Sequence, residues 1–387
     1  MGMNLFGFLL LPSFLLYATG EIDASQSNSI EHEGKSCRRL NGFGLAGYWD
    51  KKFEFHLKQC DLIRYTPQMA RTCLANKTTV MMGQSVTRYQ FLSLLEFLKF
   101  DRYPVTRAKE DVCFERTWSI DVNKTYEWIK PDINSYAKMW ANFFYQSTQK
   151  MDGRALCDCS RTSATSPHQE ARFYRDETNG MELMYFQTSG GKNVFGNVGL
   201  NQNTLNFETA KEFLEKHCPL PGTCYPPFKF DLPLESFFPK IISKVAPDNL
   251  IYSNEMSWLD HHKGANTEGD AHRKRQVLSN AIETIKRGGR AFYKTSTFNR
   301  GDLSRNSYKV EASRDSVIRG LVANATLTGG SGGVQGGWGI FDVTMIQKAL
   351  YDKNRANATT SYYDAWHPHC FVYKEFNNML LNLLCNE

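Results

Sequence analysis

Thr78-Thr79-Val80-Met81-Met82-Gly83-Gln84-Ser85-Val86-Thr87-Arg88-Tyr89-Gln90-Phe91 is the stretch on which the reading of this chain turns. Thr78 to Met82 is short, β-branched and apolar, the composition of a buried strand. Gly83 permits a sharp turn. Beyond it Val86, Tyr89, Leu92, Leu95 and Leu98 recur on or near one face, which predicts a helix from Val86 to Phe100. Strand, tight turn and helix form the opening unit of an α/β sheet, and Ser85 stands at the turn. A hydroxyl there lies beside the free N–H groups of the first helical turn and the positive end of the helix dipole, both of which stabilise an oxyanion. The same position also suits a serine that merely caps the helix.

Working outward, the alternation continues. Leu183 to Phe186 and Asn249 to Ser253 read as strands, the second ending at Asn254. Asp270 to Lys286 reads as a helix that Gly288-Gly289 stops, followed by a strand from Arg290 to Ser296. A short strand is expected over Ile340 to Val343. A last amphipathic helix is expected from Phe371 to Leu384, with Pro368 placed to help start it. Helices are also predicted over Asp132 to Lys150 and Phe207 to His217. Cys157 to His168, Gly190 to Gly199 and Gly329 to Gly339 read as loops, and the last lacks the Lys-Ser/Thr ending of a phosphate-binding loop. Strands alternating with helices imply a three-layer α/β domain with a mainly parallel sheet. One domain over residues 37–387 is expected, with insertions around 101–230 forming a smaller lobe.

The start of the chain bears on compartment. Leu5 to Tyr17 is an apolar run broken by Pro12, too short to span a bilayer, and Ala18-Thr19-Gly20 supplies small residues at a cleavage position. Residues 1–20 therefore read as a cleaved signal peptide and residues 21–36, polar and Ser/Glu-rich, as a flexible mature terminus. No later segment is long and apolar enough to span. Acceptor sequons begin at Asn76, Asn123, Asn324 and Asn357. All ten cysteines lie beyond the signal, an even number suited to disulfides in an oxidising compartment. Cys37, Cys60 and Cys73 fall in a stretch of little periodicity, residues 37–77, which reads as a disulfide-tied cap. Cys218 and Cys224 flank a Pro/Gly loop that a short bridge would close. No pair of CxxC units exists to hold zinc, and Cys157-x-Cys159 is not such a spacing. The formal charge of +6 is mild, and its one dense basic run, His272 to Arg275, sits in a predicted helix, so a nucleic-acid role is not expected. The expected location is the secretory pathway, either secreted or in the Golgi lumen.

Near the other end, Asp364-Ala365-Trp366-His367 has the spacing at which two side chains of a helical turn face the same way. A carboxylate so placed accepts the Nδ1 proton of the imidazole and leaves Nε2 to act on a nucleophile. His369 is a rival base, with a poorer local partner. Asn254, after a strand, has an amide able to donate to an oxyanion. Taken separately, each of these is also an ordinary polar loop residue.

Together these segments resemble the PC-esterase family, which includes the plant trichome birefringence-like polysaccharide O-acetyltransferases and the luminal domain of the animal sialic-acid O-acetyltransferase, and is related to the SGNH hydrolases. The family's first block, a strand followed by Gly-Asp-Ser, two residues and Arg, is similar to Gly83-Gln84-Ser85-Val86-Thr87-Arg88. Its last block, Asp-x-x-His before a terminal helix rich in Asn and Leu, is similar to Asp364 to His367 followed by Phe376-Asn377-Asn378-Met379-Leu380-Leu381. Weaker likenesses are Asn254-Glu255-Met256-Ser257-Trp258, Arg290 to Ser296, and Gly47-Tyr48-Trp49 with Cys60 in the cap. The resemblance implies an SGNH-like three-layer α/β/α sandwich with a disulfide-tied cap, in which Ser85 is nucleophile, His367 base and Asp364 its orienter. It further implies Gly83, Gln84, Arg88 and Asn254 at the oxyanion or substrate, with no metal or organic cofactor. The implied partners are a carbohydrate and an acyl donor, the reaction acyl transfer to or from the carbohydrate. Gln84 stands where the family's block carries Asp, so a secreted glycan-binding protein with a weakened or inactive site is the second reading.

Overall fold

The computed structural model describes residues 37, 40, 42, 44–103, 172–189, 193–197, 224–225, 229–253, 268–297, 319–320, 322, 337–353, 362 and 367–386. All of these fall within one compact unit, Ser36–Glu387. The elements begin with strands β1 (Gly47–Trp49) and β2 (Phe55–Leu57), helix α1 (Pro67–Leu74), β3 (Thr78–Gly83) and α2 (Ser85–Phe100). Next come β4 (Arg172–Asp176), β5 (Met181–Ser189), β6 (Asn193–Asn197), β7 (Cys224–Tyr225) and β8 (Lys229–Pro233). A helical stretch then opens over Leu234–Phe237, widens into a π turn at Phe238–Ile242 and closes over Ser243–Val245. The rest are β9 (Asn249–Ser253), α3 (Glu268–Ile282), β10 (Arg290–Lys294), β11 (Trp338–Phe341), α4 (Val343–Lys353) and α5 (Cys370–Cys385).

The main sheet runs β11-β10-β9-β3-β5-β6-β8-β7, with β4 also paired to β5. From β11 through β5 every pairing is parallel, and those beyond β5 are antiparallel. The parallel strands are buried on both faces, so they read as near-continuous apolar runs. Successive side chains alternate between two cores. Met81, Leu183, Tyr185, Ile251 and Phe292 face the core built with α2, α4 and α5. Val80, Met82, Met184, Phe186, Leu250, Tyr252 and Tyr293 face the other, built with α3 and the stretch from Leu234. A mainly parallel α/β sheet with helices on both faces results.

The cap is tied down by covalent and polar links. Cys37 pairs with Cys60, and Cys73 on α1 pairs with Cys385 at the end of α5. The β1–β2 hairpin leans on α4 through Trp49, whose Nε1 donates to the Ile346 carbonyl at 2.8 Å. The asparagines of α5 bond backbone elsewhere, both irregular and helical. Asn382 accepts from Ile63 N at 2.9 Å and donates to Ile63 O at 2.8 Å, while Asn377 donates to the Gln90 carbonyl at 3.1 Å. Buried backbone that lacks a ladder partner must find one, and at Ile63 the Asn382 amide supplies it.

Three expectations change. Part of the loop assigned to Gly190–Gly199 is strand β6, because Val194 and Phe195 extend the sheet by pairing with β8. The strand expected at Ile340 to Val343 lies earlier, at Trp338–Phe341, beginning within the stretch read as the glycine loop. Val343 instead opens α4, which went unanticipated although Val343, Ile346 and Leu350 carry helical spacing and Asp342 Oδ1 accepts from Met345 N at 3.0 Å as a cap. The segment read as an irregular cap also holds β1, β2 and α1. The predicted helices at 132–150 and 207–217, the signal, the mature terminus and Cys218 of the expected Cys218–Cys224 bridge lie outside the described residues. No helix among the described residues is long and apolar enough to cross a membrane.

Candidate active site

The chain leaves β3 for β5 on one side, then returns to β9 on the other and steps outward to β10 and β11. The winding direction therefore reverses between β3 and β9. In open parallel sheets such a switch point, at the carboxyl ends of the strands, leaves a crevice where ligands bind. Ser85 follows the carboxyl end of β3.

The turn is tight. A Cβ on Gly83 would sit 2.5 Å from Thr87 Oγ1, 2.8 Å from Thr87 Cβ and 3.3 Å from Ser253 Cβ, so only glycine lets α2 and β9 close on β3 here. Gln84 is the N-cap of α2 and its side chain makes no capping hydrogen bond. Ser85 is thus the first helical residue and not the cap, and its side chain is directed elsewhere. Ser85 Oγ lies 2.8 Å from His367 Nε2, across 282 residues of sequence. Both side chains are half-buried. With the imidazole proton on Nδ1, the hydroxyl donates to Nε2, the arrangement a base needs to take that proton.

The imidazole is held by Tyr89, one turn along α2, whose ring meets it edge-to-face at 4.5 Å and 71°. Tyr89 is braced in turn by Tyr373 of α5 at 6.1 Å and by the Arg88 guanidinium 5.0 Å over its ring. Arg88 is fully buried, so its place is inside the helix packing and beneath Tyr89. Lys294, at the end of β10 and also fully buried, donates to Thr87 Oγ1 at 2.7 Å and ties the first turn of α2 to the sheet. The Tyr185 hydroxyl of β5 lies 3.0 Å from the Gly83 carbonyl and 3.0 Å from the Gln84 carbonyl, and also touches Gln187 Oε1. The rival base His369 serves as the N-cap residue of α5 and stacks near Phe371. Burial lowers its pKa, against a raising hydrogen bond with the Tyr362 backbone.

Of the residues expected at the site, Gly83, Gln84, Ser85, Arg88 and His367 come together in the structure, while Asp364 and Asn254 lie outside the described residues. Tyr89, Tyr185 and Lys294 were not anticipated. Tyr89 was read only as an apolar position of the helix, and nothing local marks Tyr185 or Lys294, which sit in strands far away in sequence. Among the described residues Asp50, Glu54 and His56 of the cap hairpin bring potential metal ligands within 4.8 Å of one another. Their oxygens are already engaged: Asp50 accepts from the backbone N–H groups of Lys52 and Glu54, chiefly the latter bond lowering its pKa, and Glu54 lies 3.8 Å from the Lys374 ammonium.

The chain matches no protein-family model and no curated protein sequence.

Proposed function

We propose that this protein transfers an acyl group, most simply acetyl, on or off a carbohydrate hydroxyl through a covalent intermediate on Ser85. What carries the reading is the 2.8 Å approach of Ser85 Oγ to His367 Nε2 at a strand-to-helix turn beside the switch point of a parallel sheet. His367 Nε2 takes the hydroxyl proton as Oγ attacks the acyl carbonyl. The Ser85 N–H, one of the orphan donors of the first turn of α2, faces the oxygen that becomes negative. Collapse expels the first alcohol, which receives the proton back from His367. A sugar hydroxyl or water then repeats the attack on the acyl-serine. Asp364 is assigned the Nδ1 proton of His367 and Asn254 a second oxyanion donor, both from sequence.

The architecture suits the SGNH-like sandwich of the PC-esterase resemblance. A secretory location is supported by the Cys37–Cys60 and Cys73–Cys385 bridges, which persist in oxidising compartments. Gln84, standing where the resembling block carries Asp, favours a second reading in which the site binds glycans but turns over poorly. Intact-mass measurement after a fluorophosphonate probe separates the two. The expected result is one slow adduct on wild type, none on Ser85→Ala, and labelling as fast or faster on Gln84→Asp. Inert wild type with a reactive Gln84→Asp means a binding protein; folded samples in which neither labels remove Ser85 as nucleophile.

A further inference from the structure

We infer that Tyr185 is a positioning residue that presets the oxyanion-binding face of the Ser85 turn; this rests on the serine-nucleophile reading above. The inference begins with the geometry of two adjacent peptide units. The Tyr185 hydroxyl lies 3.0 Å from the carbonyl oxygen of Gly83 and 3.0 Å from that of Gln84. In a trans planar peptide the C=O of one residue and the N–H of the next point in opposite directions. Shared between the two carbonyls, the single hydroxyl proton holds both oxygens toward Tyr185 and so turns the N–H groups of Gln84 and Ser85 away from it. The Gln84 carbonyl also accepts the first helical bond, from Arg88 N at 2.9 Å, which fixes that peptide from a second side. The Ser85 N–H then points out of the helix start, where it has no intrahelical partner.

The hydroxyl itself is well placed for such a task. Tyr185 is fully buried, its ring packs near Phe91 at 5.9 Å, and its strand pairs with β3 in register, Tyr185 beside Met81. The side chain has no freedom to follow the turn if the turn moves, so it acts as a template. An oxyanion hole works because its donors are oriented before charge develops. Loss of the hydroxyl lets the two peptide planes tilt, and weakens the transition state more than the bound ester.

The test compares wild type, Tyr185→Phe, Gln187→Leu and Ser85→Ala. Each is assayed for turnover of p-nitrophenyl acetate, with kcat and KM separated, and for the rate of fluorophosphonate labelling. Far-ultraviolet circular dichroism and melting temperature report folding. Tyr185→Phe keeps the ring and removes only the hydroxyl; its kcat and labelling rate are expected to fall about 10- to 100-fold, with KM within about twofold, somewhat less than the loss of a direct oxyanion donor. Gln187→Leu removes an acceptor that competes with the two carbonyls for the hydroxyl proton, so its rates are expected to equal or exceed wild type. An unchanged kcat in folded Tyr185→Phe, or a rise in KM alone, overturns the role of Tyr185 and leaves the serine reading intact. If Tyr185→Phe does not fold, a Gln187→Leu rate as low as that of Ser85→Ala overturns it instead. A wild type that neither turns over nor labels removes the serine reading, and the role of Tyr185 with it.

Discussion

At the scale of single residues, the site depends on how closely groups approach. Gly83 is the sharpest case, because an added Cβ meets Thr87 at 2.5 Å and has the Ser253 side chain 3.3 Å away. Gly83→Ala is expected to destabilise the fold by about 1–3 kcal/mol, the range for overpacking a filled site. It is also expected to slow labelling of Ser85 by displacing the first turn of α2; a melting curve and probe rate that both match wild type would refute the tight-turn account. Glu375 presents a different balance. Its side chain is wholly buried, accepts from Phe55 N at 3.1 Å and pairs with Arg64 at 2.6 Å. Burial holds its carboxyl above the ordinary carboxylate range in spite of Arg64. A carboxyl with a higher pKa folded than unfolded binds its proton more tightly in the folded protein. Its contribution is therefore complete below the unfolded value and is lost as pH rises through the folded one. In Glu375→Gln, the melting temperature relative to wild type is expected to climb as pH rises through and above the ordinary glutamate range. A difference that falls over that range would mean the ion pair outweighs desolvation.

At the scale of elements, α5 is the member to which the rest of the site is anchored. It follows directly on His367, packs against α2 and binds the cap through Asn382, Glu375 and Cys385. The disulfide from Cys73 to Cys385 closes 312 residues of chain. Replacing both cysteines by alanine is expected to cost about 2–5 kcal/mol, read as a lower denaturation midpoint in the oxidised protein. Because His367 and Ser85 sit on segments joined by this packing, labelling by the probe is expected to become more temperature-sensitive in that variant. Trp49 links the hairpin to α4 through its bond to Ile346 O and its burial. It supports the cap, not the turn, so Trp49→Phe is expected to lower the melting temperature while leaving the probe rate near wild type. A selective loss of labelling without a change in melting would contradict that division of roles.

At the scale of the whole molecule, oxidation state is the accessible test of compartment. No cysteine among the described residues is free. Titration of the purified, denatured and unreduced protein is expected to find no thiol, and glycosidase treatment to lower its mass. Ten free thiols with no mass change would place the protein in a reducing compartment and remove the secretory assignment. The sheet order has a consequence at the same scale: among the described strands the winding reverses beside β3, and Ser85 lies at that switch point, the place where open parallel sheets bind ligands.

The sequence by itself determined the local pieces. The buried strands at Asn249–Ser253 and Thr78–Gly83, the helix after Ser85 and the terminal helix were legible because period and composition are properties of a few neighbouring residues. The candidate nucleophile and base were legible as residue types in short motifs. Helix α4 carried a readable pattern, whereas β6 is strand only because β5 and β8 supply its hydrogen bonds. Tertiary structure alone decided the meeting of Ser85 with His367, the pairing of Cys73 with Cys385, and the places of Tyr89, Tyr185 and Lys294 around the turn. These depend on contacts between segments remote in sequence, set by the order of strands in the sheet and by the packing of α5 on α2. A chain encodes such contacts through the burial they achieve together, and no single stretch of it carries them alone.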